Sequence, residues 1–144
     1  HVFDRYGPRK KGTIGARNNG VLIANATGKA LAYALFNLQE RGRMMVGPSD
    51  EVYEGMIVGI HARDNDLVVN PLKAKQLTNI RAAGKDEAVK LTPPIRMTLE
   101  KALAWIQDDE LVEVTPKTIR LRKLYLDPHE RKRFEKSAKV AGAA

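Results

Sequence analysis

The 144-residue sequence contains no cysteine, which excludes disulfide bonds and thiolate metal sites. No apolar run approaches the roughly 18 residues of a membrane span. The first residues also lack the arrangement of a secretory signal. A cytoplasmic protein with no membrane partner is the expectation. Reactive motifs are missing as well. There is no GxxxxGK[ST] phosphate loop, no GxGxxG after a strand, no nucleophile elbow and no HExxH pair. The three histidines are far apart in sequence. Asp108, Asp109 and Glu110 are consecutive, so they do not converge on one ion, and no acidic motif has calcium-loop spacing. No catalytic centre, metal, cofactor or small-molecule substrate is therefore expected of this segment.

Charge of one sign is missing from one stretch in particular. Between Leu67 and Lys85 there are four cations, at Lys73, Lys75, Arg81 and Lys85, and no acid before Asp86. Along the whole chain the net charge of +8 is unevenly divided. Residues 1–17 carry +4, 18–66 carry −2, 67–92 carry +3, 93–116 carry −3 and 117–144 carry +6. Positive charge confined to the two ends and one internal stretch suits a polyanion partner, and a solvated surface is the plain alternative. After Asn70-Pro71 neither a period of two nor one of 3.6 persists, so Asn70 to Lys85 reads as a long loop. Gln76, Thr78 and Asn79 add neutral hydrogen-bonding groups between its cations. Cations release counterions from a phosphate backbone and amides can read exposed base edges, so the mixture suits RNA. With few apolar anchors and mutually repelling cations, the loop is expected to lack fixed packing without RNA.

A chain of this length forms one domain that buries roughly 68–70% of its unfolded surface. Residues 1–18 are rich in turn formers and basic, and read as a linker or the end of a preceding domain; a start at His1 rather than Met suggests a piece of a longer protein. Val21 to Ala24 and Lys29 to Leu35, separated by Asn25-Ala26-Thr27-Gly28, read as a β-hairpin. Asn37 to Gly42 then reads as one or two helical turns, with Asn37 and Glu40 as a capping box. Met44 to Val46 reads as a short strand. Val52 to His61 reads as a strand whose glycines mark a bulge or close backbone approach. His61 is expected to be an ordinary hydrogen-bonded residue.

Ala88 to Leu91 reads as a strand ended by Pro93-Pro94. Thr98 caps a helix whose Leu99, Ala102, Leu103 and Ile106 would pack on the sheet, with Trp105 at the core edge. Leu111 to Thr115 and Thr118 to Lys123 form a second hairpin, with Arg120 and Arg122 on its outer face. Asp127, Pro128 and Glu130 start a basic terminal helix over 127–144, anchored mainly by Phe134. The sum is an α+β fold: a mixed or antiparallel sheet of hairpins, two or three short helices and a long basic loop.

Asn19 to Ile23, Gly28-Lys29-Ala30, Leu38 to Gly42, Glu51 to Gly55, Gly59-Ile60-His61, Leu77 to Ala82, the run Pro93 to Glu100 and Asp109 to Pro116 together resemble the C-terminal part of the BipA (TypA) family of translational GTPases. The resemblance covers about Asn19 to Lys123, with residues 19–126 as the C-terminal domain. It implies a ribosome-binding domain whose extended loop reaches towards the peptidyl-transferase centre of 23S rRNA and the acceptor end of A-site tRNA. Lys73, Lys75, Thr78, Asn79, Arg81 and Lys85 would then be loop contacts, and the basic hairpin and tail add Arg120, Arg122, Lys123, Arg131, Lys132 and Arg133. GTP and magnesium would belong to domains outside this sequence, so the segment itself would not be an enzyme, and it is expected to be monomeric. A protein-interaction or regulatory module, docking through the acidic 93–116 segment and apolar strand edges, is the alternative.

Overall fold

The computed structural model describes residues 17–74 and 90–143. The elements run β1 (Val21–Ala24), β2 (Gly28–Lys29), α1 (Ala32–Leu38), β3 (Gly42–Met44), β4 (Glu51–Val52), β5 (Met56–His61) and β6 (Leu67–Val69). After the undescribed stretch come α2 (Leu99–Trp105), β7 (Glu110–Val114), β8 (Ile119–Lys123) and α3 (Pro128–Ala143). This is the α+β fold expected, with a mixed sheet.

Strand β5 is the hub of the main sheet. Along one edge it pairs antiparallel with β1. Along the other it pairs with β3 through Gly59 to His61 and with β8 through Met56 and Ile57. Strand β6 adds to β1 in parallel, and β7 closes the far side against β8. Successive side chains of a strand point to opposite faces. Leu22, Ala24, Met56 and Val58 therefore enter one core, with Leu35 of α1. Val21, Ile23 and Ile57 enter the other, with Leu121 and Ala102 of α2. Because β1 is covered on both faces, it reads as an unbroken apolar run rather than an alternating one.

The bulge foreseen in the glycine-interrupted strand is present. Leu22 pairs with Gly59 but Ile23 pairs with Ile57, so Val58 is the extra residue on β5. Gly59 is also the site of a close approach: a Cβ there would lie 2.8 Å from the Arg43 carbonyl oxygen and 3.0 Å from Leu22. Gly55 has φ +90°, which a side chain rarely adopts, and it abuts Leu126 at the foot of α3.

The first expected hairpin does not form. Strand β1 pairs with β5 and β6, while Ala32–Leu38 is helical. Alanine and leucine favour a helix, and coiling buries Ala34 and brings Leu35 and Leu38 onto the first core. The two-residue β2 pairs instead with β4. Asn37 lies inside this helix rather than capping one, and Gly42 begins β3 rather than ending a helix. The expected strand at 44–46 is β3, two residues earlier. Of the expected strand at Ala88 to Leu91, Ala88 and Val89 lie outside the described residues, and Lys90 and Leu91 are not in a strand.

Thr98 caps α2 as expected, its Oγ1 accepting from the Lys101 amide at 3.3 Å. The buried face differs. Ala102 is fully buried and Trp105 and Ile106 pack on the second core, while Leu99 and Leu103 remain 40% and 54% exposed. The small Ala102 lets the helix approach the sheet closely. His61 is buried, with Nδ1 2.6 Å from the Asn65 carbonyl oxygen, an ordinary structural hydrogen bond.

Gly59→Ala should push β3 away from β5. We expect a loss of about 1–3 kcal/mol, the usual range for overpacking, read as a lower urea midpoint with an unchanged denaturant slope.

Candidate nucleic-acid interface

The described residues on either side of 75–89 both rest against a single helix. On the outgoing side Pro71 is buried and its carbonyl accepts from the Leu31 amide at 3.0 Å, at the start of α1. Asn70 then turns the chain outward, its Oδ1 accepting from the Leu72 amide at 3.0 Å. On the returning side the Gln39 side chain, at the end of α1, donates to the Lys90 carbonyl and accepts from the Thr92 amide, both at 3.0 Å. Helix α1 therefore bridges the base of the loop over roughly 12 Å.

Of the loop residues expected to meet RNA, Lys73 is described and is exposed. Lys75, Thr78, Asn79, Arg81 and Lys85 lie outside the described residues, as does the expected lack of fixed packing. On the second hairpin Arg120 is half-buried, 3.9 Å from Glu113. Arg122 is half-buried and donates to the Lys123 and Leu124 carbonyls, each at 3.2 Å. Glu113 also accepts from the Tyr53 hydroxyl at 2.9 Å. Burial, then the hydrogen bond and negative charge of Glu113, push Tyr53 up to about 12. Lys132 and Arg133 on α3 are exposed.

Two expected RNA contacts are instead internal. Lys123 has a side chain 4% exposed, and its Nζ lies 2.8, 2.7 and 3.2 Å from carboxylates of Asp66, Asp109 and Glu110. It sits at the β8 end where β7, β8 and the turn before β6 meet, so its charge balances the buried Glu110 and the partly exposed Asp66 and Asp109. Arg131 is also buried, its guanidinium donating to the Tyr125 and Leu126 carbonyls at 3.1 and 2.6 Å. Together with the Tyr125–Phe134 ring contact, 5.2 Å between centroids, it fastens α3 to the domain. The rest of the described side chains of that helix, 132–140, are exposed.

The acid-rich turn serves the same internal network. Glu110, with a fully buried side chain, receives both guanidinium nitrogens of Arg17 at 2.6 and 2.8 Å and the Gln107 amide at 2.9 Å. The Arg17 guanidinium lies 4.1 Å from the Trp105 ring centroid. Its Nε is buried without a hydrogen-bond partner among the described residues. Arg17 therefore belongs to the packed domain, and so does Asn19, whose amide donates to the His61 and Ala62 carbonyls. Burial would raise the pKa of Glu110, but Arg17, Gln107 and Lys123 outweigh it and hold the carboxyl below its ordinary 4.5. Burial would lower that of Lys123, but Asp109, Asp66 and Glu110 outweigh it and raise the ammonium above its ordinary 10.5.

Arg41 is the cation that the sequence reading missed. It lies three positions beyond the end of α1, is exposed, and lines a groove together with Lys73.

Over residues 19–128 the sequence matches the model of the TypA/BipA C-terminal domain family. The chain belongs to this family. It is similar to the large ribosomal subunit assembly factor BipA of Haemophilus influenzae, at 58% identity over 94% of this chain and 22% of that protein. It is also similar to proteins of the same name from Escherichia coli K12, at 58% identity over 96% of the chain and 23% of that protein, and from Buchnera aphidicola, at 59% identity over 91% and 22%. The chain spans less than a quarter of the length of these curated relatives. Among its described residues no helix is long and apolar enough to cross a membrane.

The buried network makes a sharp prediction for the TypA/BipA domain. Lys123→Met should destabilise it by about 1–3 kcal/mol in urea denaturation, because the buried Glu110 carboxylate loses one of its two cationic partners while Arg17 remains. Glu110 has a lowered pKa when folded, so its stabilising contribution is complete above about 4.5, the ordinary value, and fades as pH falls through the folded value. The raised pKa of Lys123 makes its contribution complete below about 10.5, lost only as pH rises through the folded value. Glu110→Gln should accordingly flatten the acid limb of a stability–pH curve and leave the alkaline limb in place.

Proposed function

We propose that this chain is the ribosome-binding C-terminal domain of a BipA-type translational GTPase and acts by contacting RNA rather than by catalysis. The observation that carries this reading is the fastening of both ends of the basic loop to α1. A stretch with four cations and no acid before Asp86 is thereby presented from a braced base, with Lys73 exposed at its start. The name of the relatives, large ribosomal subunit assembly factor, supports the same partner. On this reading the loop is directed at the peptidyl-transferase region of 23S rRNA and the acceptor end of A-site tRNA, through Lys73, Lys75, Thr78, Asn79, Arg81 and Lys85. The open cations Lys132 and Arg133 of α3, and the half-buried Arg120 and Arg122 of β8, would be further RNA contacts.

GTP binding and hydrolysis, with magnesium, would reside in other domains of the whole protein, which would work in the cytoplasm. The domain unit runs from about Arg17 to 126, with the residues before it leading in and 127–144 as its basic extension. A second reading, docking of a protein partner, draws on the exposed Leu103 of α2 and Val114 at the end of edge strand β7, 54% and 63% exposed.

The test is binding to purified large ribosomal subunits across a salt series. Lys73→Ala, Lys75→Ala and Arg81→Ala combined should weaken binding and flatten the log–log salt slope by about 2, at 0.7–0.9 per phosphate contact. Unchanged affinity and slope in the folded variant would remove the loop assignment. Salt-resistant binding of a protein, with no RNA retention, would favour the second reading.

A further inference from the structure

A groove of about 540 Å3 lies between α1 and β6, at the foot of the basic loop. This is within the usual size range of sites for small organic groups. Its walls include Leu38 and Val69, while Asn37, Glu40, Arg41 and Lys73 bring polar groups to it. The cations differ from those buried elsewhere. Lys123, Arg17 and Arg131 are engaged by carboxylates or carbonyls, whereas Arg41 and Lys73 are exposed and make no side-chain ion pair or hydrogen bond with the described residues.

The second component of the groove is main chain. Strand β6 is a sheet edge, paired only with β1 among the described residues. The Val69 carbonyl faces β1, accepting from the Asn25 amide at 2.9 Å. Alternation along the strand turns the N–H and C=O of Val68 to the open side. Val68 is itself 46% exposed and lines the groove.

We infer that this groove holds one unpaired RNA nucleotide, its base on the apolar wall beside the Val68 main chain and its phosphate between Arg41 and Lys73. This rests on the RNA-binding reading above and adds a specific subsite to it. An unpaired base has a free Watson–Crick edge, carrying donors and acceptors suited to a main-chain N–H and C=O pair, whereas a paired base has already used that edge. The Arg41 guanidinium provides both a positive charge and a flat face for a base. Glu40 disfavours a phosphate on its own side and can accept from an exocyclic amine. The two open cations favour a nucleotide over an uncharged extended peptide, the other ligand that an open strand edge accepts.

The test uses the full chain, a short labelled single-stranded RNA of mixed sequence, and the same sequence as a blunt duplex. Arg41→Ala should weaken single-strand binding about tenfold at low salt and reduce the log–log slope by about 0.7. Val68→Pro removes the outward N–H at an edge position where proline is tolerated. It should weaken single-strand binding about fivefold without changing the slope or the duplex affinity. Circular dichroism checks that each variant is folded, and the exposed Arg41→Ala remains decisive if Val68→Pro unfolds. No effect of Arg41→Ala, or equal losses for single strand and duplex in both folded variants, would overturn the subsite. So would binding of an extended peptide at the β6 edge that single-stranded RNA fails to displace. If the triple loop variant weakens large-subunit binding while the groove variants bind normally, the subsite falls and the RNA-binding reading stands. If none has an effect, both fall.

Discussion

The antiparallel pairing of β1 with β5 is the constraint on which the rest of the domain depends. Both strands contribute side chains to the two cores, so neither helix has a hydrophobic surface to cover until they pair. The bulge at Val58 and the absence of a side chain at Gly59 let β5 hold β1 on one edge and β3 and β8 on the other. Strand β6 joins only through β1, and Val69 leads directly into the turn that launches the basic loop. The position of Asn70 to Lys73 is thus a consequence of how one central pair is built.

Positive charge in this domain has two different roles. Arg17, Lys123 and Arg131 are buried among acids or carbonyl oxygens and join distant parts of the chain. Arg17 and Glu110 are 93 positions apart in sequence. Removing a partner from such a site exposes the other charge to a poor solvent, so these residues bear on stability. Arg41, Lys73, Lys132 and Arg133 are exposed. Their desolvation cost is small, which leaves them able to meet phosphate.

Local patterns were read well where neighbouring residues decide the structure. The Thr98 cap, the β7–β8 hairpin and the interruption of β5 at its glycines depend on groups a few positions apart. Lys29 to Leu35 reads as a strand because a short apolar run fits either period, and the choice is made by packing of Leu35 and Leu38 beneath the sheet. The terminal helix was legible from Asp127-Pro128, but its attachment through Arg131 and the Tyr125–Phe134 contact was not. At the candidate interface the exposed Lys73 was legible; the burial of Lys123, the bracing of the loop by Gln39 and the contribution of Arg41 were not.

The sequence by itself determined the α+β class, the family through its specific runs such as Pro93 to Glu100, and the uneven distribution of basic charge. Residue types, caps and turns are local properties, and a family likeness is carried by their order along the chain. Only the tertiary structure decided which cations are available. A lysine within a basic strand looks the same in sequence whether its ammonium faces water or, as at Lys123, the carboxylates of Asp66, Asp109 and Glu110. Asp109 and Glu110 reach Lys123 through the β7–β8 hairpin, but Asp66 and Arg17 join this cluster from distant parts of the chain, and no local pattern encodes that meeting.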